Sequence, residues 1–171
     1  MMRLIIIGAG GYGQTIADIA KQSEKYESIL FLDDDENLSY TSGKCSDYIK
    51  FKDANTEIYP AFGNNTSRLI WVEKLFSEGI AVPTLIHKRA YVSVTATIGN
   101  GTIVLPGAIV NTNCYIGQGC IINCGAIIDH DCIIEDGVHI CLGAIVKGEN
   151  RILSCKKVEA GEVVALRTYA I

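Results

Sequence analysis

The second half of the chain carries a branched aliphatic residue at every sixth position. The thirteen members of this series are Val92, Ile98, Val104, Val110, Ile116, Ile122, Ile128, Ile134, Ile140, Val146, Ile152, Val158 and Val164. A fixed period of this length predicts a parallel β-helix, in which each hexad supplies a short strand and a corner. Three hexads then close one triangular coil of about 18 residues, with the aliphatic side chains pointing inward.

Small side chains occupy the fourth position after most of these aliphatic residues, where a corner leaves little room. They are Ala96, Thr102, Ala108, Cys114, Cys120, Ala126, Cys132 and Ala144, with Val138 as the one larger member. The pattern explains three cysteines as small core residues. Polar residues replace them at Asn150, Lys156 and Glu162, so we expect the last coils to be distorted or to act as a cap.

Glycine or asparagine often follows the aliphatic residue directly, as at Gly99, Asn111, Gly117 and Asn123. Both residue types tolerate positive φ, so we predict that these positions form the corners.

The first half has a different pattern. A continuous apolar run over residues 4–7 predicts a parallel strand that is covered on both faces. The sequence Gly-Ala-Gly-Gly-Tyr-Gly follows at residues 8–13, and apolar positions 16, 19 and 20 then predict a helix from Gln14. A second apolar run over residues 29–32 ends in three consecutive aspartates, and residues 66–78 predict a second helix closed by Gly79. Residues 36–58 carry no clear pattern.

This arrangement indicates a site for a phosphate group. Glycines let the backbone approach a phosphate, and a helix N-terminus offers N–H groups and a positive dipole end. Acidic residues begin where a Rossmann unit places its ribose-binding carboxylate. The candidate nucleotide-binding residues are Gly8, Gly10, Gly11, Tyr12, Gly13, Asp33 and Asp34. A tight βα turn that binds nothing is the alternative.

Length limits the ligand, because about 80 residues hold barely more than one mononucleotide unit. We therefore predict a Rossmann-like, mononucleotide-binding α/β domain over residues 1–84 and a parallel β-helix over residues 85–171.

Charge and composition exclude several other classes. The net charge is −4, with 15 basic and 19 acidic residues, so we expect no nucleic-acid partner. No apolar run approaches the length of a membrane span, and we expect a cytoplasmic protein without a membrane partner. The seven cysteines contain no C-x-x-C pair, so we expect no metal.

Several motifs together carry a family resemblance. They lie at residues 8–13, 31–35, 62–65, 84–87, 123–126 and 128–132. With the hexad array, they resemble the bacterial sialic acid O-acetyltransferase and UDP-4-amino-sugar N-acetyltransferase family. The resemblance implies a left-handed β-helix, a homotrimer with acetyl-CoA in the cleft between neighbouring helices, and an N-terminal domain that binds the nucleotide end of a sugar acceptor. The apolar positions Val110 and Ile133 agree with such packing, if they lie at corners.

The resemblance also implies roles for individual residues. His130 would be the general base, since an imidazole accepts a proton near neutral pH. Asp131 would orient it, although Asp129 also flanks it and the choice stays open. The backbone N–H of Gly148, one coil above His130, would stabilise the oxyanion. Two further residues have implied contacts, namely His139 with the thioester and Asn123 with the acceptor sugar. Lys147, like Arg151, Lys156 and Lys157, is a candidate for contact with CoA phosphates, and contact with solvent alone is the alternative.

The chain departs from the family in three places, of which the polar residues Asn150, Lys156 and Glu162 are one. Tyr12 stands where many relatives carry a histidine. Residues 168–171 replace the usual Gly-Asn-Pro-Ala segment, so any CoA contact made there is expected to be missing or replaced. Two other functions remain open. One is a non-catalytic nucleotide-sugar sensor or scaffold. The other is a γ-type carbonic anhydrase, which would need zinc held by His87, His130 and His139.

Overall fold

Three parallel strands and two α-helices form the N-terminal part of the chain. The computed structural model describes residues 2–166, so residues 168–171 of the sequence analysis lie outside the described part. The chain divides into two compact units between Pro83 and Thr84. In the first unit the elements are β1 Met2–Ile7, α1 Gly11–Gln22, β2 Tyr26–Leu32, a 3₁₀ segment Cys45–Phe51, β3 Thr56–Pro60 and α2 Asn65–Ser77.

The sheet of this unit has the order β2-β1-β3, with both pairings parallel. Leu4 to Ile7 are fully buried, as the continuous apolar run predicted for a central strand. Because β1 has β2 on one side and β3 on the other, it is the topological switch point of this sheet. Ligands of open α/β sheets bind at such a switch point.

Helix α1 begins earlier than the sequence predicted, at Gly11 instead of Gln14, so the glycine loop is shorter than residues 8–13. Gly10 is the N-cap in extended conformation, and Gly11 to Gly13 already form the first turn. Any Cβ on Gly13 would collide with the carbonyl oxygen of Gly8. Glycine there allows the helix to start directly against the strand.

Helix α2 spans 65–77 instead of the predicted 66–78. Its N-cap is Asn64, whose side chain accepts a hydrogen bond from the Ser67 N–H at 2.9 Å. The 3₁₀ segment and the start of β3 both lie within residues 36–58, where sequence patterning predicted nothing. Tyr48 and Thr56 of that stretch are buried, so tertiary packing holds it in place.

The second unit consists of two-residue strands. They are β4 Leu85–Ile86, β5 Tyr91–Val92, β6 Thr97–Ile98, β7 Ile103–Val104, β8 Ile109–Val110, β9 Tyr115–Ile116, β10 Ile121–Ile122, β11 Ile127–Ile128, β12 Ile133–Ile134, β13 His139–Ile140, β14 Ile145–Val146, β15 Arg151–Ile152, β16 Lys157–Val158 and β17 Val163–Val164.

These strands form three parallel sheets, β16-β13-β10-β7-β4, β17-β14-β11-β8-β5 and β15-β12-β9-β6. Each strand pairs with the strand three hexads further along the chain, as Ile128 does with Val146. The aliphatic residue of every hexad is the second residue of its strand, and most of the series is fully buried. The predicted parallel β-helix, with three hexads to a coil, is confirmed.

The corner prediction was wrong in one respect. The residues with positive φ lie three positions after the aliphatic residue rather than directly after it. They are Gly101, Gly107, Asn113, Gly119, Gly125, Asp131, Gly137, Gly143, Glu149, Cys155 and Gly161. Gly99 and Gly117 are required for a different reason, because a Cβ on Gly99 would lie 2.6 Å from the backbone nitrogen of Gln118 in the next coil.

The last coils are not distorted, which corrects one of the two expectations for them. Strands β15 to β17 keep the register of the preceding coils. Asn150 is buried and hydrogen-bonded, whereas Lys156 and Glu162 are exposed, as suits the end of a solenoid. Val110 is also not an exposed corner residue, because it is fully buried in the core, while Ile133 is 41% exposed.

Candidate active site

The turn after β11 carries the candidate base. Ile128 at the end of this strand is fully buried, and His130 lies two positions later on the exposed side of the turn. Asp131 adopts φ +54, a left-handed conformation that glycine occupies at most equivalent turns. Aspartate is one of the few non-glycine residues that adopt this conformation readily, because its short polar side chain can form local hydrogen bonds.

Asp131 is the carboxylate that contacts the far side of the His130 ring. Its Oδ2 lies 2.8 Å from His130 Nδ1, whereas Asp129 Oδ2 lies 4.0 Å from Nε2. The other oxygen of Asp131 accepts a hydrogen bond from Asn113 Nδ2 at 3.0 Å. Asp129 instead accepts the backbone N–H of His130 at 2.9 Å. The geometry thus favours Asp131 where the sequence left the choice open, and it leaves Nε2 as the ring nitrogen that faces away from Asp131.

The electrostatics of the turn favour a protonated imidazole. The pKa of His130 is raised above its ordinary value, first by the hydrogen bond to Asp131 and then by the negative charge of Asp129. A raised pKa makes His130 a stronger base once it is neutral.

Gly148 faces the imidazole across one coil. A Cβ on Gly148 would lie 2.9 Å from His130 Nε2 and 3.0 Å from Cε1. Its φ is not in the left-handed region, so the close approach of the ring, rather than backbone conformation, explains why glycine stands here. The exposed residue Lys147 precedes it.

Asn123 and His139 form a second pair, with Asn123 Nδ2 lying 3.0 Å from His139 Nε2. Asn123 Oδ1 accepts the N–H of Cys124 at 2.8 Å, so the amide nitrogen must face the imidazole. Nε2 of His139 is therefore an acceptor, and the neutral ring carries its proton on Nδ1. This pair belongs to the sheet of β10 and β13, whereas His130 follows β11 in a neighbouring sheet.

The glycine loop of the first unit has open space beside Gly10 and Gly11. Gly8 adopts φ +103, and no atom lies within 4 Å of a Cβ placed on Gly10 or Gly11. Asp33 holds this loop, since its Oδ2 accepts the N–H of Ala9 at 2.7 Å. The hydroxyl of Tyr12 lies 3.1 Å from that of the buried Tyr59.

Asp34 lines a separate concave surface of about 530 Å³, together with Tyr48, Trp71 and Lys74. Its Oδ1 accepts the N–H of Cys45 at 2.9 Å. The two adjacent aspartates thus have different surroundings, one beneath the glycine loop and the other at this cavity.

Two side chains near the site were missed from the sequence, Asn113 and Asn150. Asn113 lies three hexads before Asp131, and Asn150 lies three hexads after Cys132. The repeat alone would therefore have revealed that both residues stack next to these positions. Within residues 2–166 no group of three or more His, Cys, Asp or Glu side chains is arranged so that it could hold a metal ion. No helix of that range is long and apolar enough to cross a membrane.

The three sheets of stacked two-residue strands define the class of hexapeptide-repeat β-helix proteins. Residues 3–75 match the PglD N-terminal domain. The acetyltransferase domain of PglB from Neisseria gonorrhoeae is 33% identical, with 95% of this chain and 82% of that chain covered and a TM-score of 0.90. Its complex with acetyl coenzyme A matches at 34% identity over 94% and 80% of the two chains, with a TM-score of 0.89.

PerB from Caulobacter crescentus, in complex with CoA and GDP-perosamine, shares the fold at 24% identity. There 96% of this chain and 89% of that chain are covered, with a TM-score of 0.82. From these findings the chain belongs to the hexapeptide-repeat sugar N-acetyltransferase family, and it is an acetyl-CoA-dependent enzyme.

Proposed function

We propose that the enzyme transfers the acetyl group of acetyl-CoA to an amine of a nucleotide-linked sugar, with His130 as general base. The observation that carries this proposal is the His130–Asp131 pair, with Nε2 packed against the backbone of Gly148. The imidazole, its orienting carboxylate and the backbone of Gly148 lie next to one another there.

The proposed reaction is a direct attack on the thioester. The sugar amine attacks the carbonyl carbon while Nε2 of His130 takes one of its protons. The resulting tetrahedral intermediate carries an oxyanion, which the Gly148 N–H stabilises. The carbon–sulfur bond then breaks, the carbonyl re-forms, and the imidazolium gives its proton to the departing CoA thiolate. Asp131 keeps the ring in one tautomer and stabilises its charged form.

His139 and Asn123 have supporting roles in this proposal. With its proton on Nδ1, His139 is a hydrogen-bond donor that suits a thioester carbonyl, and Asn123 lies beside it for contact with the acceptor sugar. Lys147 is exposed next to Gly148, which suits a contact with CoA phosphates.

The nucleotide end of the acceptor is proposed to bind at the glycine loop of the first unit. Gly10 and Gly11 leave room for a phosphate, and the first turn of α1 offers backbone N–H groups. The match of residues 3–75 to the PglD N-terminal domain supports this assignment.

A left-handed β-helix in a cytoplasmic homotrimer completes the proposal. Tyr115 and Ile133 are register neighbours on the β9–β12 face, and they are 50% and 41% exposed. Such exposed apolar pairs suit burial against a second copy. None of the seven cysteines forms a disulfide bond, as suits a reducing compartment.

A thiol-release assay with acetyl-CoA and a panel of UDP-, CMP- and GDP-linked amino sugars tests the function. Turnover with one nucleotide amino sugar is expected. His130→Ala is expected to lower kcat by about 10²–10⁴-fold while acetyl-CoA and the acceptor still bind. Near-normal turnover of His130→Ala would contradict the mechanism and make His139 the next candidate. Binding of a nucleotide sugar without thiol release from any acceptor would favour a sensor or scaffold.

A further inference from the structure

We propose that Asn150, together with Cys132, fixes the orientation of the peptide between Lys147 and Gly148 and is thereby a positioning residue for acetyl transfer. The inference rests on the proposed function, in which the Gly148 N–H binds the oxyanion. Neither side chain is expected to touch a substrate, because both are buried within the β-helix.

A column of buried side chains carries this inference. Cys114, Cys132 and Asn150 occupy the same position in three successive coils and follow one another along the solenoid. The thiol of Cys114 donates to the Asp129 carbonyl at 2.9 Å, and that of Cys132 donates to the Lys147 carbonyl at 3.3 Å. Each donor thus reaches a carbonyl of the next coil, beside His130 in one case and beside Gly148 in the other.

Asn150 departs from the pattern of the column because it has two hydrogens to donate. Its Nδ2 donates to the Ala165 carbonyl at 2.9 Å, which is the contact typical of the column, and also to the Lys147 carbonyl at 2.8 Å. The Lys147 carbonyl therefore accepts two hydrogen bonds from buried side chains, one from the coil below and one from its own coil. Both lone pairs of that oxygen have a partner.

The orientation of the Gly148 N–H follows from this anchoring. In a trans peptide the N–H and the C=O point in opposite directions. Because the Lys147 carbonyl is held toward the interior, the Gly148 N–H points outward, to the side where the His130 ring lies. Consistent with this direction, the pKa of Asp129 is lowered chiefly by the His130 N–H and, less strongly, by the N–H of Gly148.

The two hydrogen bonds that the Lys147 carbonyl accepts also affect the strength of the Gly148 N–H as a donor. Hydrogen bonds in a chain polarise one another, so a peptide whose oxygen accepts two bonds offers a stronger N–H. The neighbouring thiol of Cys114 and burial both raise the pKa of Cys132, which keeps its thiol protonated. Asn150 and Cys132 thus aim the N–H and strengthen it before the substrate arrives.

Substitutions within the column separate positioning from folding. Asn150→Cys introduces the residue that the two preceding coils carry at this position. Its single S–H is expected to donate to the Ala165 carbonyl and no longer to the Lys147 carbonyl. Cys132→Ala removes the second donor. Cys120→Ala is the matched control, because Cys120 is equally buried and donates to the Glu135 carbonyl at 3.1 Å, in another column.

The three variants are compared by kcat with acetyl-CoA and the nucleotide amino sugar that turns over, by the Kd of CoA and by thermal unfolding. Deleting an oxyanion donor lowers kcat by about 10²–10³-fold. A donor that is only loosened should have a smaller effect, so we expect kcat to fall about tenfold in Asn150→Cys and about threefold in Cys132→Ala. The Kd of CoA is expected to stay unchanged. Cys120→Ala should lose similar stability to Cys132→Ala but keep its kcat.

Equal kcat values for Cys132→Ala and Cys120→Ala, with Asn150→Cys also unimpaired, would overturn the inference. So would a loss of kcat matched by an equal loss of CoA affinity. If Asn150→Cys does not fold, the two cysteine variants still decide between the outcomes. His130→Ala, measured in parallel, distinguishes a failure of this inference from a failure of the proposed function, because full turnover of that variant contradicts the proposed function itself. If His130→Ala loses turnover while Asn150→Cys and Cys132→Ala keep their kcat, only the role of Asn150 and Cys132 is contradicted.

Discussion

The two units of this enzyme place functional residues in different ways. In the β-helix, every coil repeats the same turn, so equivalent residues of neighbouring coils meet. The candidate site lies where this stacking brings Gly148 against the ring of His130. In the α/β unit nothing repeats, and the glycine loop owes its shape to the approach of one helix to one strand. Glycine is consequently required for packing at Gly13, whereas at Gly10 its proposed role is to leave room for a ligand.

The largest effect on stability is expected from Gly13→Ala in the α/β unit. The new Cβ would meet the Gly8 carbonyl oxygen, which is backbone and cannot swing away. We expect a loss of about 3 kcal/mol or more, measured by chemical denaturation. Gly11→Ala is the control in the same helical turn, and it should be neutral or stabilising by about 0.5–1 kcal/mol because no atom lies near its Cβ. Equal stability of the two variants would contradict the distinction between packing and binding glycines.

In the β-helix, Gly148→Ala is expected to affect chemistry instead of folding. The methyl group would press on Nε2 and Cε1 of His130, so kcat should fall by about 100-fold, comparable to the loss of a general base. The melting temperature should change little, since the ring is exposed and can move. In a His130→Ala background the same substitution should have almost no further effect on kcat. Additive losses would show that the contact with His130 is not the cause.

A third expectation concerns Gly10, the binding counterpart of Gly13. Gly10→Val adds a branched side chain where the phosphate is proposed to approach, and its extended conformation accepts valine. The Kd of the nucleotide sugar should rise at least about tenfold, since charge-assisted hydrogen bonds to the phosphate contribute more than about 1.5 kcal/mol. Calorimetry would measure this, with the Kd of acetyl-CoA as the internal control. An unchanged affinity would remove the glycine loop from the binding site.

The smallest effect is expected from Asp131→Asn, which tests the electrostatics of the turn. Asparagine tolerates the left-handed conformation, as Asn113 does one coil earlier. Because the hydrogen bond to Asp131 is the main cause of the raised pKa of His130, its loss lowers that pKa. A general base works when deprotonated, so the acidic limb of the kcat/KM profile should move to lower pH, while kcat falls by about tenfold. An unmoved limb would show that Asp131 does not set the pKa of the base.

Much of the β-helix and part of its site were determined by the sequence alone. An uninterrupted six-residue period admits few architectures, because each inward aliphatic residue must stack on the one three hexads later. The same arithmetic placed Gly148 over His130, and the inward Ile128 placed His130 on the outside. In the first unit, the apolar run of β1 and the glycines after it sufficed to predict a strand, a turn and a helix.

Tertiary structure decided what depends on contacts that periodicity does not encode. Both aspartates flank His130 in the sequence, but only the left-handed turn at Asp131 brings a carboxylate to Nδ1. The 3₁₀ segment Cys45–Phe51 has no period of its own and is held by packing, as the burial of Tyr48 shows. The sequence placed Asn150 at a small core position and suggested a distorted coil or a cap there, since a buried amide is tolerated only where partners exist. The carbonyls of Lys147 and Ala165 supply those partners, and they meet Asn150 only once the coils have stacked.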